Sequence, residues 1–556
     1  MLPSLVTNKF KIFLKIPIIN LYLKSRLKKQ IKNCYRGYQL INKIHGLKYF
    51  EGLLDDLVIC PFGIKINDKN NLIKKDHIET SLRQNITARL FFDSGKSFNF
   101  EFYTSLYKKR PLIYPLPYIY IKFLKNRGIN VCSFRCLILW KIIIFIFFLV
   151  SIKDSCIYLL HNLIYLYSEK NQQKNKANQI DAYFLDTNLD ELPKELNNEL
   201  KFNIFSYVYK KLIKTDNNLI FGVDVDLNSR KLNSKVKMIF QRYPFHYLSN
   251  IRSLFKLVLF LIKIILFSPI YIFNSNWWKL FILKDLFFAK SCQMQITNNL
   301  SKSYFFEHAN ICRPLWTFIA QEKGSEIFSY FYSGGTSQIV FDKTISKSPT
   351  PRYQNLNWPN YLFWDQYQSD FYKEICKKPY KSYISGPLCK QIESLDKKIL
   401  FPNKSISVFD ISPKRDSFRI KTAATNEFYT PSNFLPFFKD ILFICQKHDI
   451  QIIFKIKRNN SKSVAHPSYI KIINKIKSYD NVLFITPSTA PEALIRVTSC
   501  AIHMPLSSTA IISSYMNKPA CYYDPNSYIS KYDSRARGLE IFSRVKELEN
   551  WILSNI

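Results

Sequence analysis

From about residue 405 onward, short apolar runs alternate with stretches of helical period. Ile406–Ile411 predicts a strand, Asn433–Lys447 an amphipathic helix and Ile450–Ile456 a second strand. A helix over Tyr469–Tyr479, a strand over Val482–Ile485 and a helix over Pro491–Val497 follow. A strand over Ala501–Met504, a helix over Ser508–Met516 and a strand over Ala520–Tyr523 complete the series. Strands alternating with helices predict a parallel sheet of Rossmann-like type.

The same rhythm, fainter, runs between about 300 and 386: strand Tyr304–Glu307, helix Pro314–Lys323, strand Ile327–Tyr332, strand Tyr361–Trp364 and helix Tyr367–Cys376. Residues 388–404 are polar and irregular and read as a linker. The expected fold is therefore α/β, with two Rossmann-like domains facing a cleft. An N-terminal domain occupies 51–387 and a C-terminal domain 405–556. Ligands of such sheets bind at the carboxyl ends of the strands.

Two apolar runs, 136–152 and 254–273, approach the length of a bilayer-crossing helix. Each carries charge inside it: Lys141 in the first, Lys256 and Lys263 in the second. Strand-like segments of one domain lie both between the runs (Ala182–Asp186) and after them (Tyr304–Glu307). Two crossings would set those strands on opposite sides of a membrane, so buried or interfacial helices are expected.

Charge sharpens this picture. The chain of 556 residues has 80 Lys+Arg against 41 Asp+Glu, a net charge of +39. The first fifty residues hold eleven Lys or Arg and no acid, interleaved with Phe10, Phe13, Leu14, Ile16 and Leu21. A basic amphipathic segment over 1–50 suits an anionic membrane surface. Nucleic acid is not expected as a partner, because no zinc-finger spacing, RNP signature, basic zipper or helix-turn-helix pattern is present. Twelve cysteines without a C-x-x-C pair indicate neither zinc ribbon nor redox motif, and suit a reduced, cytoplasmic setting.

With only 12 glycines, the chain has neither G-x-G-x-x-G nor a Walker-type loop. The stretch Cys500–Asp524 reads as strand, sharp turn, helix and strand, with Ser507, Ser508 and Thr509 where the helix begins. Hydroxyls and a helix N-terminus can hold a phosphate there. Lys455, Lys457 and Arg458 end an earlier strand and can add positive charge. Glu492, opening the helix from Pro491, can accept hydrogen bonds from a ribose. Glu307 and His308 end one predicted strand and Asp365 ends another, where a carboxylate or imidazole can act as a general base. No metal cluster is evident, so dipole, hydroxyls and cations are expected to hold the charge of a bound phosphate.

Several of these segments form an ordered series: Arg313-Pro-Leu-Trp-Thr317, Glu322-Lys-Gly324, Tyr361-Leu-Phe-Trp-Asp365, Val408-Phe-Asp-Ile-Ser-Pro413, Met504-Pro-Leu-Ser-Ser-Thr-Ala510 and Tyr522-Tyr-Asp-Pro525. Over roughly 300–545 the chain resembles the bacterial polysaccharide-biosynthesis proteins named for a Pro-Phe-Thr-Ser motif, altered here at Leu506 and Ser507. The resemblance implies a glycosyltransferase of twin Rossmann-like (GT-B) architecture, working on surface polysaccharide at the inner face of the cytoplasmic membrane. A looser likeness joins His466-Pro467 and Ser507-Ser508-Thr509 to the His-Pro and Ser-Ser/Thr pair of bacterial sialyltransferases and 3-deoxy-octulosonate transferases. It implies that these residues hold the phosphate of a CMP-sugar. No cofactor is expected beyond that co-substrate; the partners would be a nucleotide-sugar donor, a glycan or lipid-linked acceptor and an anionic membrane surface. A polyol-phosphate polymerase or a non-catalytic scaffold fits the same residues.

Overall fold

The computed structural model describes residues 32–37, 39–40, 53, 56–57, 73–89, 98–169, 179–187, 192, 202–212, 219–224, 230–233, 236–248, 250–307, 312–334, 356–376, 378–389, 404–415, 429–457 and 464–556. Most of the basic segment 1–50 and of the linker 388–404 lies outside them.

One sheet is built from β1 (Ala182–Phe184), β2 (Leu219–Val223), β3 (Arg230–Asn233), β4 (Val236–Phe240), β5 (Ser303–Glu307), β6 (Glu326–Tyr330), β7 (Asn360–Phe363) and β8 (Lys381–Ile384). Its order is β3-β4-β2-β1-β5-β6-β7-β8, parallel except for β3 against β4. A second sheet holds β9 (Ser405–Phe409), β10 (Gln451–Lys455), β11 (Val482–Ile485), β12 (Cys500–His503), β13 (Ala520–Tyr523) and β14 (Ile541–Phe542). These lie in the order β11-β10-β9-β12-β13-β14, all parallel.

Counted from its first strand, the second sheet runs 3-2-1-4-5-6, the doubly wound dinucleotide-type arrangement. The first sheet repeats that order over β4-β2-β1-β5-β6-β7 and adds β8 and the antiparallel edge β3. Each sheet thus has one point where the connections part to opposite faces, between β9 and β12 in one and between β1 and β5 in the other. A crevice opens there at the carboxyl ends of the strands.

Burial on both faces explains the apolar strands. In the first sheet Phe184, Phe305 and Phe328 occupy one register row, and their rings stack at 5.2 and 5.0 Å between centroids. Such rows add packing on top of area burial. The second sheet is covered by the helix Pro431–Lys447, whose Phe434, Phe437, Phe438, Ile441 and Cys445 recur at helical spacing and are buried.

The two apolar runs form the helices Ser133–Glu169 and Ile251–Phe273. The first extends well beyond 152, because Asp154 is neutralised by Lys284 at 2.9 Å and Asn162 is bonded to the Tyr158 carbonyl at 2.7 Å. The helices run antiparallel: Leu248 N–H donates to Asn162 Oδ1 near one end, and Lys141 Nζ donates to the Ile272 carbonyl at the other. Lys141, a charge inside an apolar run, therefore sits at the negative end of its neighbour's helix dipole.

Candidate functional site

The loops leaving β9 and β12 flank the crevice of the second sheet. Both turn sharply, with Ser412 at φ 48° and Leu506 at φ 61°. Left-handed backbone at a non-glycine residue costs roughly 1–2 kcal/mol and persists where surrounding contacts enforce it.

For the β9 loop the enforcing group is Asp410, which is buried. Its carboxylate accepts from Ser412 N–H (2.8 Å), Ser412 Oγ (2.6 Å), the Tyr469 hydroxyl (2.6 Å) and Lys457 N–H (3.2 Å). Lys455, also buried, donates Nζ to the Pro487 carbonyl at 3.1 Å. Burial pushes the Lys455 ammonium down to about 8, with Asp410 opposing the shift. An arriving anion would restore its charge fully.

The β12 loop leads into the helix Ser508–Tyr515. Ser507 is its N-cap residue, yet the Ser507 side chain makes no capping bond. Instead the hydroxyls look outward and sideways: Ser507 Oγ is 3.4 Å from Thr509 Oγ1, and Ser508 Oγ is 2.7 Å from Ser333 Oγ beyond β6. Thr509 Oγ1 meets His503 Nδ1 at 2.9 Å, while His503 Nε2 reaches Ser513 Oγ at 3.2 Å. Burial pushes His503 down to about 3, so its imidazole is neutral and pins the first two turns of the helix to β12. The Ser507 side chain takes up none of the first backbone N–H groups of the helix, the groups an anion site draws on.

His466 caps the helix Pro467–Ile476, its Nδ1 accepting from Ser468 N–H at 3.2 Å, with Pro467 at the first helical position. With Nδ1 accepting, the ring's donor is Nε2. His466 N–H donates to the Pro413 carbonyl at 3.0 Å, so the His-Pro pair is tied to the β9 loop, beside Ser412. Glu492 is buried at the domain junction, accepting from Phe202 N–H at 3.3 Å and Arg496 Nη2 at 2.7 Å.

At the carboxyl end of the first sheet, Glu307 closes β5 and is buried, beside the switch point with β1. The β1 loop turns through Asp186 at φ 60°, whose N–H donates to Asp224 Oδ2 at 3.0 Å. A cavity of about 350 Å³ opens next to it, lined by Leu185, Arg242, Lys284, Asp154, Phe288 and Trp316 among others. Asp365 caps the helix Gln366–Ile375 through Gln368 N–H at 2.8 Å and pairs with Arg537 Nε at 2.7 Å. His308 and Arg458 lie outside the described residues.

The helix Ser508–Tyr515 also carries the domain contact. Its Tyr515 hydroxyl donates to the Trp364 carbonyl at 2.7 Å, and Arg537 Nη2 donates to the Gly334 carbonyl at 2.8 Å. A Cβ at Gly334 would stand 2.4 Å from Ile511 Cδ1 and 2.8 Å from Trp364 Cε3, so only glycine admits this approach.

Sequence reasoning gave no role to Asp410, Ser412, His503 or Arg537. Asp-x-Ser after an apolar strand is an Asx-turn signal that pointed to the first two.

The family described as polysaccharide biosynthesis PFTS motif protein matches residues 258–552. No curated protein matches the chain. Similar solved structures include the wall teichoic acid polymerase TagF, at 10% identity and TM-score 0.34, covering 74% of this chain and 90% of that one. UDP-GlcNAc 2-epimerase from Methanocaldococcus jannaschii is at 10% identity and TM-score 0.33, covering 67% and 92%. Trehalose-6-phosphate synthase OtsA is at 8% identity and TM-score 0.34, covering 67% and 91%.

Proposed function

The chain belongs to the polysaccharide biosynthesis PFTS motif family, and from that premise we propose that it is a nucleotide-sugar-dependent glycosyltransferase. The donor lies in the crevice between β9 and β12. Its phosphate rests on the N-terminus of Ser508–Tyr515, held by Ser507, Ser508 and Thr509, with His466, Pro467, Lys455, Lys457 and Arg458 completing the anion pocket. The favoured donor is a CMP-linked 2-keto sugar acid. The acceptor is a glycan or lipid-linked glycan at an anionic membrane surface on the cytoplasmic side, reaching in from the carboxyl end of the first sheet.

In the transfer, the acceptor hydroxyl oxygen bonds to the anomeric carbon as the bond from that carbon to the phosphate oxygen breaks. Glu307 takes the hydroxyl proton, His308 assists, and Asp365 is the reserve base. The helix dipole, hydroxyls and cations receive the charge of the departing nucleotide without a metal ion.

One observation carries this reading: at the switch point between β9 and β12 a helix N-terminus whose cap residue makes no capping bond follows the left-handed turn at Leu506, while the strand paired beside it leaves through the left-handed turn at Ser412. A thermal-shift panel of CMP, CDP, UMP, UDP, GDP and AMP, on the protein and on Ser507→Ala/Ser508→Ala, tests it. Stabilisation by CMP that vanishes in the variant supports pocket and donor together. Stabilisation by UDP or GDP keeps the transferase and discards that donor, and a flat response overturns the reading in favour of a scaffold. With turnover established, insensitivity to EDTA supports the metal-free transfer, and a product that retains phosphate would mark a polyol-phosphate transferase instead.

A further inference from the structure

We infer that the helices Ser133–Glu169 and Ile251–Phe273 lie in the plane of a membrane leaflet as a monotopic pair, neither crossing it. This specifies how the membrane surface of the preceding reading is engaged, and it stands or falls independently of the donor.

The outer faces of both helices are apolar and unburied. Along the first, Phe134, Ile138, Ile142, Phe145 and Leu149 follow at spacings of four, four, three and four, and all are exposed. Along the second, Phe255, Leu259, Ile262, Leu266, Ile270 and Phe273 do the same, with Leu266 70% and Phe273 82% exposed. Leu254, Leu257, Leu261 and Ile264, on the opposite side, are buried in the protein core. A water-facing helix carries polar residues opposite its core stripe. These two carry apolar stripes on both sides, and a contiguous exposed patch of this kind marks an interaction surface.

The sheet order excludes a crossing. The segment between the helices supplies β1, β2 and β4; the segment after them supplies β5 to β8. β1 pairs with β5 through Ala182↔Ser303, Tyr183↔Tyr304 and Phe184↔Phe305. Both ends of Ile251–Phe273 therefore lie on one side of any bilayer. The helices before Ser133 are on that side too, since Arg313 N–H donates to Gln84 Oε1 at 2.9 Å. A helix with apolar outer face and both ends on one side lies along the interface.

Charge selects the occupant. Arg252, Lys256 and Lys263, at i, i+4 and i+11, form an exposed line beside the apolar line of the second helix. Over 251–294 six basic residues (Arg252, Lys256, Lys263, Lys279, Lys284, Lys290) face one acid, Asp285. Cations beside an apolar stripe fit an anionic leaflet, with the lysine stems following the apolar surface and the ammonium groups reaching the headgroups. A second protein would not call for that basic border.

The test is flotation of the full chain with phosphatidylcholine vesicles holding a quarter phosphatidylglycerol. Binding that persists in molar salt is expected. Leu266→Glu/Ile270→Glu, which leaves the buried stripe intact, should weaken it at least about tenfold with an unchanged melting temperature. Lys256→Glu/Lys263→Glu should abolish the preference over pure phosphatidylcholine. Failure to float, or equal flotation of the Leu266→Glu/Ile270→Glu variant, overturns the inference. An impermeant amine reagent outside sealed vesicles should modify Lys210, between the helices, and Lys373, after them, alike. Protection of only one would mean a crossing and overturn it too.

Discussion

Over the crevice of the second sheet stand hydroxyls, a helix N-terminus and a lysine at the end of β10; over that of the first stand a buried carboxylate, aromatic rings and a cavity of about 350 Å³. The strand order beneath is the same. Topology fixes where a ligand sits, and the residues of the few turns past the strand ends decide whether that place receives an anion or holds a base.

The sharpest break in this contrast is Glu307→Gln. Turnover should fall about 10²–10⁴-fold, the usual contribution of a positioned base, while nucleotide-induced stabilisation stays unchanged. Single-turnover kinetics beside the thermal-shift panel measure both, and a fall of only a few-fold would pass the base role to another group.

On the other sheet, Asp410→Ala removes the acceptor of four hydrogen bonds that enforce the β9 turn. A loss of about 3 kcal/mol in urea unfolding is expected, with nucleotide binding lost as well. Asp410→Asn, which keeps part of the network, should cost less.

His503 gives that same crevice a pH dependence. Its folded-state value lies near 3 against an ordinary 6.5, so the unfolded chain binds the extra proton between those values. Stability is full above about 6.5 and declines as pH falls; from pH 7 to 5 this site should remove about 2 kcal/mol. His503→Gln should flatten that part of the urea-midpoint profile, and an unaltered profile would show that another group titrates.

The smallest effect concerns the contact between the two regions. Ser333→Ala frees Ser508 Oγ from its cross-domain partner, which should tighten nucleotide binding by about fivefold, the worth of one net hydrogen bond. Isothermal titration reads the change; weaker binding would mean that Ser333 itself touches the donor.

Much of the second sheet was legible from the chain. Short apolar strands joined by brief helical stretches give few alternatives, and the observed Pro431–Lys447, Val482–Ile485 and Pro491–Val497 match the periodicity within two residues. The strands β2, β3 and β4 were not, because each is at most five residues long amid Lys- and Asn-rich sequence. Within the site, Ser507 to Thr509 could be read from their position before a helix. For Asp410 the Asp-x-Ser turn could be read but its place beside them could not, since almost a hundred residues separate it from them and only the β9–β12 pairing makes them neighbours. Glu492 shows the converse: a ribose role suits its place at a helix start, but Phe202, 290 residues away, meets its carboxylate.

Gly334 sets a spacing. The Trp364 ring beside it is held by its own N–H on the Phe331 carbonyl at 2.6 Å and cannot swing aside. A single methyl at Gly334, backed by that ring, would stand 2.4 Å from Ile511 Cδ1 of the other domain and would act as a wedge, prising the domains apart by the ångström or so needed to reach an ordinary carbon contact of about 3.5–4 Å. A group transfer between two crevices works with reacting atoms about 3–3.5 Å apart, so the gauge of the whole machine is the thickness of one absent carbon atom.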